Sequence, residues 1–248
     1  MDSQYIFSKP MLATWATCCI AFGVSVALLG VDQGWVRFST AKKSVESADK
    51  PDEIEEAKRI SDSLMQTEIA KQCLEQPDEW KRIPYFWSQN RKAMKHTFVQ
   101  GALYGPDKLT AEPLVFLNRD RKQFIVIAHI GNSLCGHEGI VHGGLQATLF
   151  DEITARPAFW NLPRSVALTA SLKVNYRRPA LANQIFVFRT SLEHMEGRKA
   201  TIKASMEDLK GNVLSDAESL YVSPSNEKLV SDNSGLLKVI EGVYPGAF

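Results

Sequence analysis

The chain has 248 residues, 44% of them hydrophobic and 23% charged, enough for one globular core with appendages. A formal charge of +1 removes the general electrostatic reason to expect nucleic-acid binding. Four cysteines make neither a disulfide framework nor a zinc site, because Cys18 and Cys19 are adjacent in an apolar run while Cys73 and Cys135 stand alone.

In chain order, residues 11–31 carry no charge, and about 20 apolar residues cross a bilayer. Residues 1–38 therefore read as a transmembrane anchor, with a cleaved signal or import sequence as the alternative. Only Lys9 precedes the apolar run, whereas Arg37, Lys42 and Lys43 follow it. That asymmetry keeps the remainder of the chain on the more negative side of a membrane, matrix or cytosol. Residues 39–96 read as a polar tether and then a helix over 52–76, where Ile54, Ala57, Ile60, Leu64 and Ile69 recur at roughly helical spacing and Pro77 ends the run. Lys81, Arg82, Arg91, Lys92, Lys95 and His96 next cluster around Trp80, Tyr85, Phe86 and Trp87. This cluster reads as a solvated helix with packed rings, or as a surface for anionic groups.

From Thr97 the pattern becomes strand-like, over 98–104, 113–117 and 124–129. A glycine-rich loop over 135–139 carries His137 and Glu138. Ile140-Val141-His142-Gly143-Gly144 then opens a helix in which Leu145, Ala147, Leu149, Phe150 and Ile153 surround one carboxylate, Asp151, with Pro157 and Pro163 bounding the exit. A helix start offers unpaired N–H groups and a partial positive charge that can hold negative charge developing on a carbonyl oxygen. Glycine lets an acyl group approach that backbone closely. A carboxylate that leaves water for an apolar groove is a better base. Together these suit attack on a carbonyl carbon; the plain alternative is a loop entering a buried helix that tolerates glycine. Along a helix, the steps from Gly143 to Asp151 amount to roughly 12 Å. Both groups reach one carbonyl only if they come from different subunits, which predicts a two-fold dimer.

Four further strands follow over 166–176, 184–192, 200–208 and 213–222, with Gly211-Asn212 turning the last hairpin. The first alternates with period two, which predicts one dry face and places Thr169 on the polar side. Antiparallel strands after one apolar helix predict an α+β domain with the sheet curled around that helix.

Three runs, Gly139-Ile-Val-His-Gly-Gly-Leu-Gln-Ala-Thr-Leu-Phe-Asp151, Thr169-Ala-Ser-Leu-Lys-Val-Asn-Tyr-Arg-Arg-Pro179 and Glu196-Gly-Arg-Lys199, stand in an order and spacing that resembles the hotdog-fold acyl-CoA thioesterases. The resemblance covers 97–223 and leaves 224–248 as a tail. It implies a hotdog fold, hydrolysis of fatty acyl-CoA to free acid and coenzyme A without metal or other cofactor, and a homodimer or dimer of dimers. Residue by residue, it makes Asp151 the catalytic carboxylate, as general base or transient nucleophile, and gives the Gly143 N–H to the thioester carbonyl, with Gly144 and the positioning residue His142 beside it. Thr169 falls where a hydroxyl orients the attacking water, and Lys199 where a cation meets coenzyme A phosphates or positions substrate.

One departure stands out: many relatives carry an amide side chain where this chain has Gly136, so His137 and Glu138 become the candidate replacements facing the thioester. The acyl chain is expected near Phe150 and Phe159. Because fungal members with a membrane anchor are mitochondrial, the resemblance implies the inner mitochondrial membrane with a matrix-facing domain, the endoplasmic reticulum being second choice. A hydratase would need a histidine shortly after the aspartate on the same helix, and none follows Asp151 until His194. A non-catalytic acyl-CoA binding adaptor is the remaining alternative.

Overall fold

Proline at a first helical position loses no hydrogen bond and has its φ preset, and Pro51 accordingly opens α1 (Pro51–Met65). A computed structural model describes residues 51–85 and 97–225. The apolar run over 11–31 lies outside them; among the described residues no helix is long and apolar enough to cross a membrane.

The single helix expected over 52–76 is two. Thr67 interrupts it, donating its hydroxyl to the Leu64 carbonyl at 2.7 Å and accepting from the Ala70 N–H at 3.4 Å, which caps α2 (Glu68–Glu75). Where a solvated helix was expected, β1 (Trp80–Ile83) pairs antiparallel with β2 (Leu114–Asn118). The sheet thus starts before Thr97. The strand expected over 98–104 is instead a turn of wide helix, Phe98–Ala102, with the Leu103 N–H bonded to the Phe98 carbonyl at 3.0 Å. Its short apolar run carries no period that separates strand from helix, and Phe98 points to solvent.

Seven strands form one antiparallel sheet in the order β1-β2-β3-β7-β8-β9-β6, the others being β3 (Gln123–Ile130), β6 (Leu168–Tyr176), β7 (Gln184–Glu196), β8 (Lys199–Glu207) and β9 (Val213–Val222). A separate small hairpin, β4 (Cys135–His137) with β5 (Ile140–Val141), leads into α3 (Gly143–Asn161). Strands β2 and β3 are buried on both faces, which is why they read as near-continuous apolar runs. Val115, Leu117, Phe124, Val126 and Ala128 meet the cluster around α3, while Leu114, Phe116, Ile125 and Ile127 pack with Leu64, Ala70 and Cys73 of α1 and α2. Helix α3 contacts β3, β6, β7, β8 and β9, so the sheet wraps it as an α+β hotdog domain. Pro157 does not end α3, as expected from sequence, but sits inside it. The helix runs a further turn because Ala158 and Trp160 are buried beyond the proline.

Sequence reading also missed a buried arginine. Arg156 on α3 is 1% exposed, lies 4.5 Å over the Tyr85 ring and donates to the Tyr85 carbonyl at 2.9 Å. It anchors the end of the first described segment to the central helix. The buried Cys73 thiol is pushed up to about 11 by desolvation, which leaves it protonated and inert.

Beside the core, His129 on β3 donates from Nε2 to the Asn183 Oδ1 at 3.1 Å. Desolvation holds its pKa below the ordinary imidazole value, although that bond and the charges of Glu56 and Asp107 act the other way. Unfolding below pH about 6.5 therefore takes up a proton at this histidine, and stability falls as the pH drops through that value. Substituting His129→Gln, which keeps an N–H for Asn183 and does not titrate, is expected to flatten the fall in urea midpoint between about pH 6.5 and pH 5. An unchanged slope would show that His129 is not the source.

Candidate active site

Asp151 follows two turns of apolar helix, and two elements fix it. Edge strand β6 carries a bulge between Thr169 and Ser171 that resets its alternation. Without it, Thr169 would face away from α3, as the strict period predicts. With it, Thr169 lies opposite the inward-facing Tyr221, while Leu172 and Val174 turn toward the core around α3. Thr169 Oγ1 donates to Asp151 Oδ1 at 2.7 Å. Its one proton is thereby used on the carboxylate, so Thr169 orients Asp151 and can meet water only as an acceptor.

Tyr221, fully buried on β9, places its hydroxyl 2.7 Å from the Asp151 main-chain oxygen and 3.3 Å from Oδ1. Asp151 Oδ2 has no hydrogen-bond partner among the described residues. The carboxylate is half-buried, with one oxygen fixed and one open.

The other group lies at the start of α3. His142 is the N-cap, and its Nδ1 accepts the Gly144 N–H at 2.9 Å. A backbone N–H can only donate, so Nδ1 holds a lone pair and Nε2 carries the proton. Of the two glycine amides expected to be bare, the one at Gly144 is therefore taken by the cap. The Gly143 N–H has no partner among the described residues. Buried Gln146 secures this turn, donating to the Val141 carbonyl at 3.3 Å and accepting from Ser215 at 2.8 Å. Tyr176 at the end of β6 donates to the Gly143 carbonyl at 2.8 Å.

Gly136 has a packing cause. A Cβ there would stand 2.8 Å from Cδ2 of His142, so the imidazole fills the space that a longer side chain would need. The open groove at this end holds about 460 Å³ and is lined by His137, His142, Gly143, Tyr176, Arg177 and Arg178 among others. Hydrogen bonding between the Arg177 guanidinium and Asp216 holds the Asp216 carboxyl below its usual range.

The remaining expected residues are not gathered around Asp151. His137 and Glu138 are exposed in the β4–β5 hairpin; His137 lines the groove and Glu138 does not. Lys199 is exposed and next to Ala200, whose side chain is buried in the row with Tyr221 and Thr169. By strand alternation Lys199 lies on the opposite face from Asp151 of its own chain. Phe150, expected beside the acyl chain, is sealed in the core, edge-on to Phe188 with ring centroids 5.9 Å apart, and lines no open surface of the single chain. Phe159 is half-buried. Gly143 and Asp151 share one helix, about 12 Å apart by its rise, and do not meet within a single chain.

The sequence reading missed Tyr221, Tyr176, Thr154 and Gln146. A signal existed in β9, where Ser215, Ser219 and Tyr221 stand at the inward positions of a strand facing an apolar helix.

Residues 138–215 match the model of the thioesterase superfamily. The UPF0644 protein of Schizosaccharomyces pombe is 30% identical over 176 residues, covering 68% of this chain and 66% of that protein. An uncharacterised mitochondrial protein of Candida albicans is 27% identical over 202 residues, 79% of this chain and 83% of its own. The acyl-coenzyme A thioesterase THEM4 of Bos taurus is 25% identical over 183 residues, 66% of this chain and 74% of its own. The matched segment begins at the β4–β5 hairpin and takes in the helix start, the aspartate and the bulged strand described above, and on these grounds the chain belongs to the hotdog-fold thioesterase superfamily.

Proposed function

We propose that the protein is an acyl-CoA thioesterase that hydrolyses fatty acyl-CoA to free acid and coenzyme A. The observation that carries this reading is the Asp151 carboxylate, held at Oδ1 by Thr169 while Oδ2 stays open. Oδ2 takes a proton from water as the water oxygen attacks the thioester carbon, and the carbonyl oxygen gains negative charge against the Gly143 N–H. Collapse breaks the carbon–sulfur bond, and the proton passes to the departing thiolate. Direct attack by Oδ2 to give an anhydride, hydrolysed afterwards, uses the same geometry.

Because Gly143 and Asp151 are too far apart on one helix, each site combines the amide of one copy with the carboxylate of another. Strand β6 supports this assembly. It is the last strand of the sheet among the described residues, and near its two ends Leu168 and Tyr176 are 45% and 55% exposed in the single chain. A second copy along this edge would cover them. We assign the protein to mitochondria, in line with the mitochondrial protein of Candida albicans to which it is similar, and take residues 11–31 as its membrane attachment.

Incubating the full-length chain with acyl-CoAs of several chain lengths is expected to release free thiol. Tight acyl-CoA binding without turnover would instead make it an adaptor. The shared site has its own test. Proline is tolerated at a first helical position and deletes the N–H, so Gly143→Pro removes the amide alone. Mixing Gly143→Pro and Asp151→Asn subunits is expected to restore about a quarter of wild-type activity, since half the dimers are mixed and each keeps one intact site. Absence of complementation would rule out sites built from two copies.

A further inference from the structure

Three hydroxyls lie in line behind the carboxylate, all in fully buried residues. Ser219 Oγ is 2.9 Å from Thr154 Oγ1, Thr154 Oγ1 is 2.9 Å from the Tyr221 hydroxyl, and that hydroxyl is 2.7 Å from the Asp151 carbonyl oxygen and 3.3 Å from Oδ1. Both Asp151 atoms are acceptors, so Tyr221 is the donor in its contacts with Asp151. Thr154 also donates to the Phe150 carbonyl at 2.6 Å, and its contact with Tyr221 can run in either direction. Burial and the neighbouring Asp151 charge push the Tyr221 phenol far above its ordinary value, so it stays a donor across the working pH range. Buried away from bulk solvent, neighbouring hydroxyls polarise one another.

We propose that Tyr221 is a positioning residue for Asp151, its hydroxyl holding the carboxylate in the orientation in which Thr169 meets Oδ1 and Oδ2 faces the substrate. The proposal rests on the hydrolase reading for its kinetic consequence, though not for its geometry. Tyr221 stands directly across from Thr169 in the β6–β9 register, so the two side chains grip Asp151 from adjacent strands. Thr169 alone leaves the carboxylate free to pivot about one bond. Tyr221 supplies the second point, its one proton shared between the Asp151 main-chain oxygen at 2.7 Å and Oδ1 at 3.3 Å.

The test is Tyr221→Phe in the full-length chain, which deletes one oxygen and leaves the ring to fill the core. A small displacement of a reacting group costs up to about 100-fold, so kcat is expected to fall roughly 10-fold or more with KM little changed. In the Asp151→Asn background the same change is expected to have no further effect on the residual rate, because a residue acting only through Asp151 has nothing left to position. A purely structural role would lower both backgrounds alike. Crystal structures of wild type and Tyr221→Phe give a readout independent of turnover: the Asp151 side chain is expected to leave Thr169 in the variant. An unchanged kcat, equal losses in the two backgrounds, or an Asp151 carboxylate still on Thr169 would each overturn the proposal. Should wild type hydrolyse no acyl-CoA, the hydrolase reading fails and the crystallographic comparison alone decides this one. Should Tyr221→Phe not fold, Thr154→Val cuts the series one step earlier and is expected to give a smaller kcat loss of the same kind; full activity there would count equally against it.

Discussion

Replacing Asp151 with asparagine is expected to lower thioester turnover by about 100- to 10,000-fold, the range that a positioned proton acceptor contributes. Asparagine matches aspartate in shape and keeps a carbonyl oxygen for the Thr169 hydroxyl, so the 2.7 Å contact can persist. What disappears is the open Oδ2, replaced by an amide nitrogen that donates and cannot accept a proton from water. The protein should therefore bind acyl-CoA and melt near the wild-type temperature while releasing little thiol. Turnover at the wild-type rate would mean that some other group drives the chemistry. A loss of both binding and melting temperature would assign Asp151 to the fold instead.

The neighbouring residue is expected to give the opposite result. Phe150 is fully buried and meets Phe188 edge-on, in the cluster that joins α3 to the concave face of the sheet. Phe150→Ala removes a ring from packed surroundings and leaves a cavity that Phe188 and Met206 only partly refill, a change costing about 3–5 kcal/mol. For a chain of this size, that corresponds to a fall in melting temperature of about 10 °C. Thermal unfolding of the purified variant measures it. A shift of only a degree or two would mean that the sheet collapses onto the vacancy, and that α3 is less tightly enclosed than its burial indicates.

The central helix and most strands were legible because each carries a strong period or a strong breaker. Strands β2 and β3 announce themselves by apolar runs with both faces covered, and the β8–β9 hairpin by Gly211-Asn212. The errors fall where tertiary contacts override local pattern. Trp80–Ile83 has two cations among four residues and becomes a strand only because β2 offers a partner. Pro157 looks like a helix terminator, yet burial of Ala158 and Trp160 carries α3 past it. In the site, Asp151 and Gly143 could be named from helix chemistry alone. Thr169 could not be placed, since a bulge of one residue decides its face and no residue type encodes that bulge. Tyr221 was missed for a related reason: β9 marks it as inward-facing, but its contact with Asp151 follows only from the cross-strand register.

The two borders of the sheet are chemically unequal. On one side stands β1, four residues long, with Lys81 and Arg82 at its middle, features that discourage a further strand. On the other stands β6, nine residues long and without a further neighbour among the described residues. In the proposed dimer, pairing through β6 would consume the same surface on both molecules and leave the two short cationic margins outward. Such joining would terminate itself, because among the described residues the pair would offer no second long open edge from which a ribbon of sheets could grow.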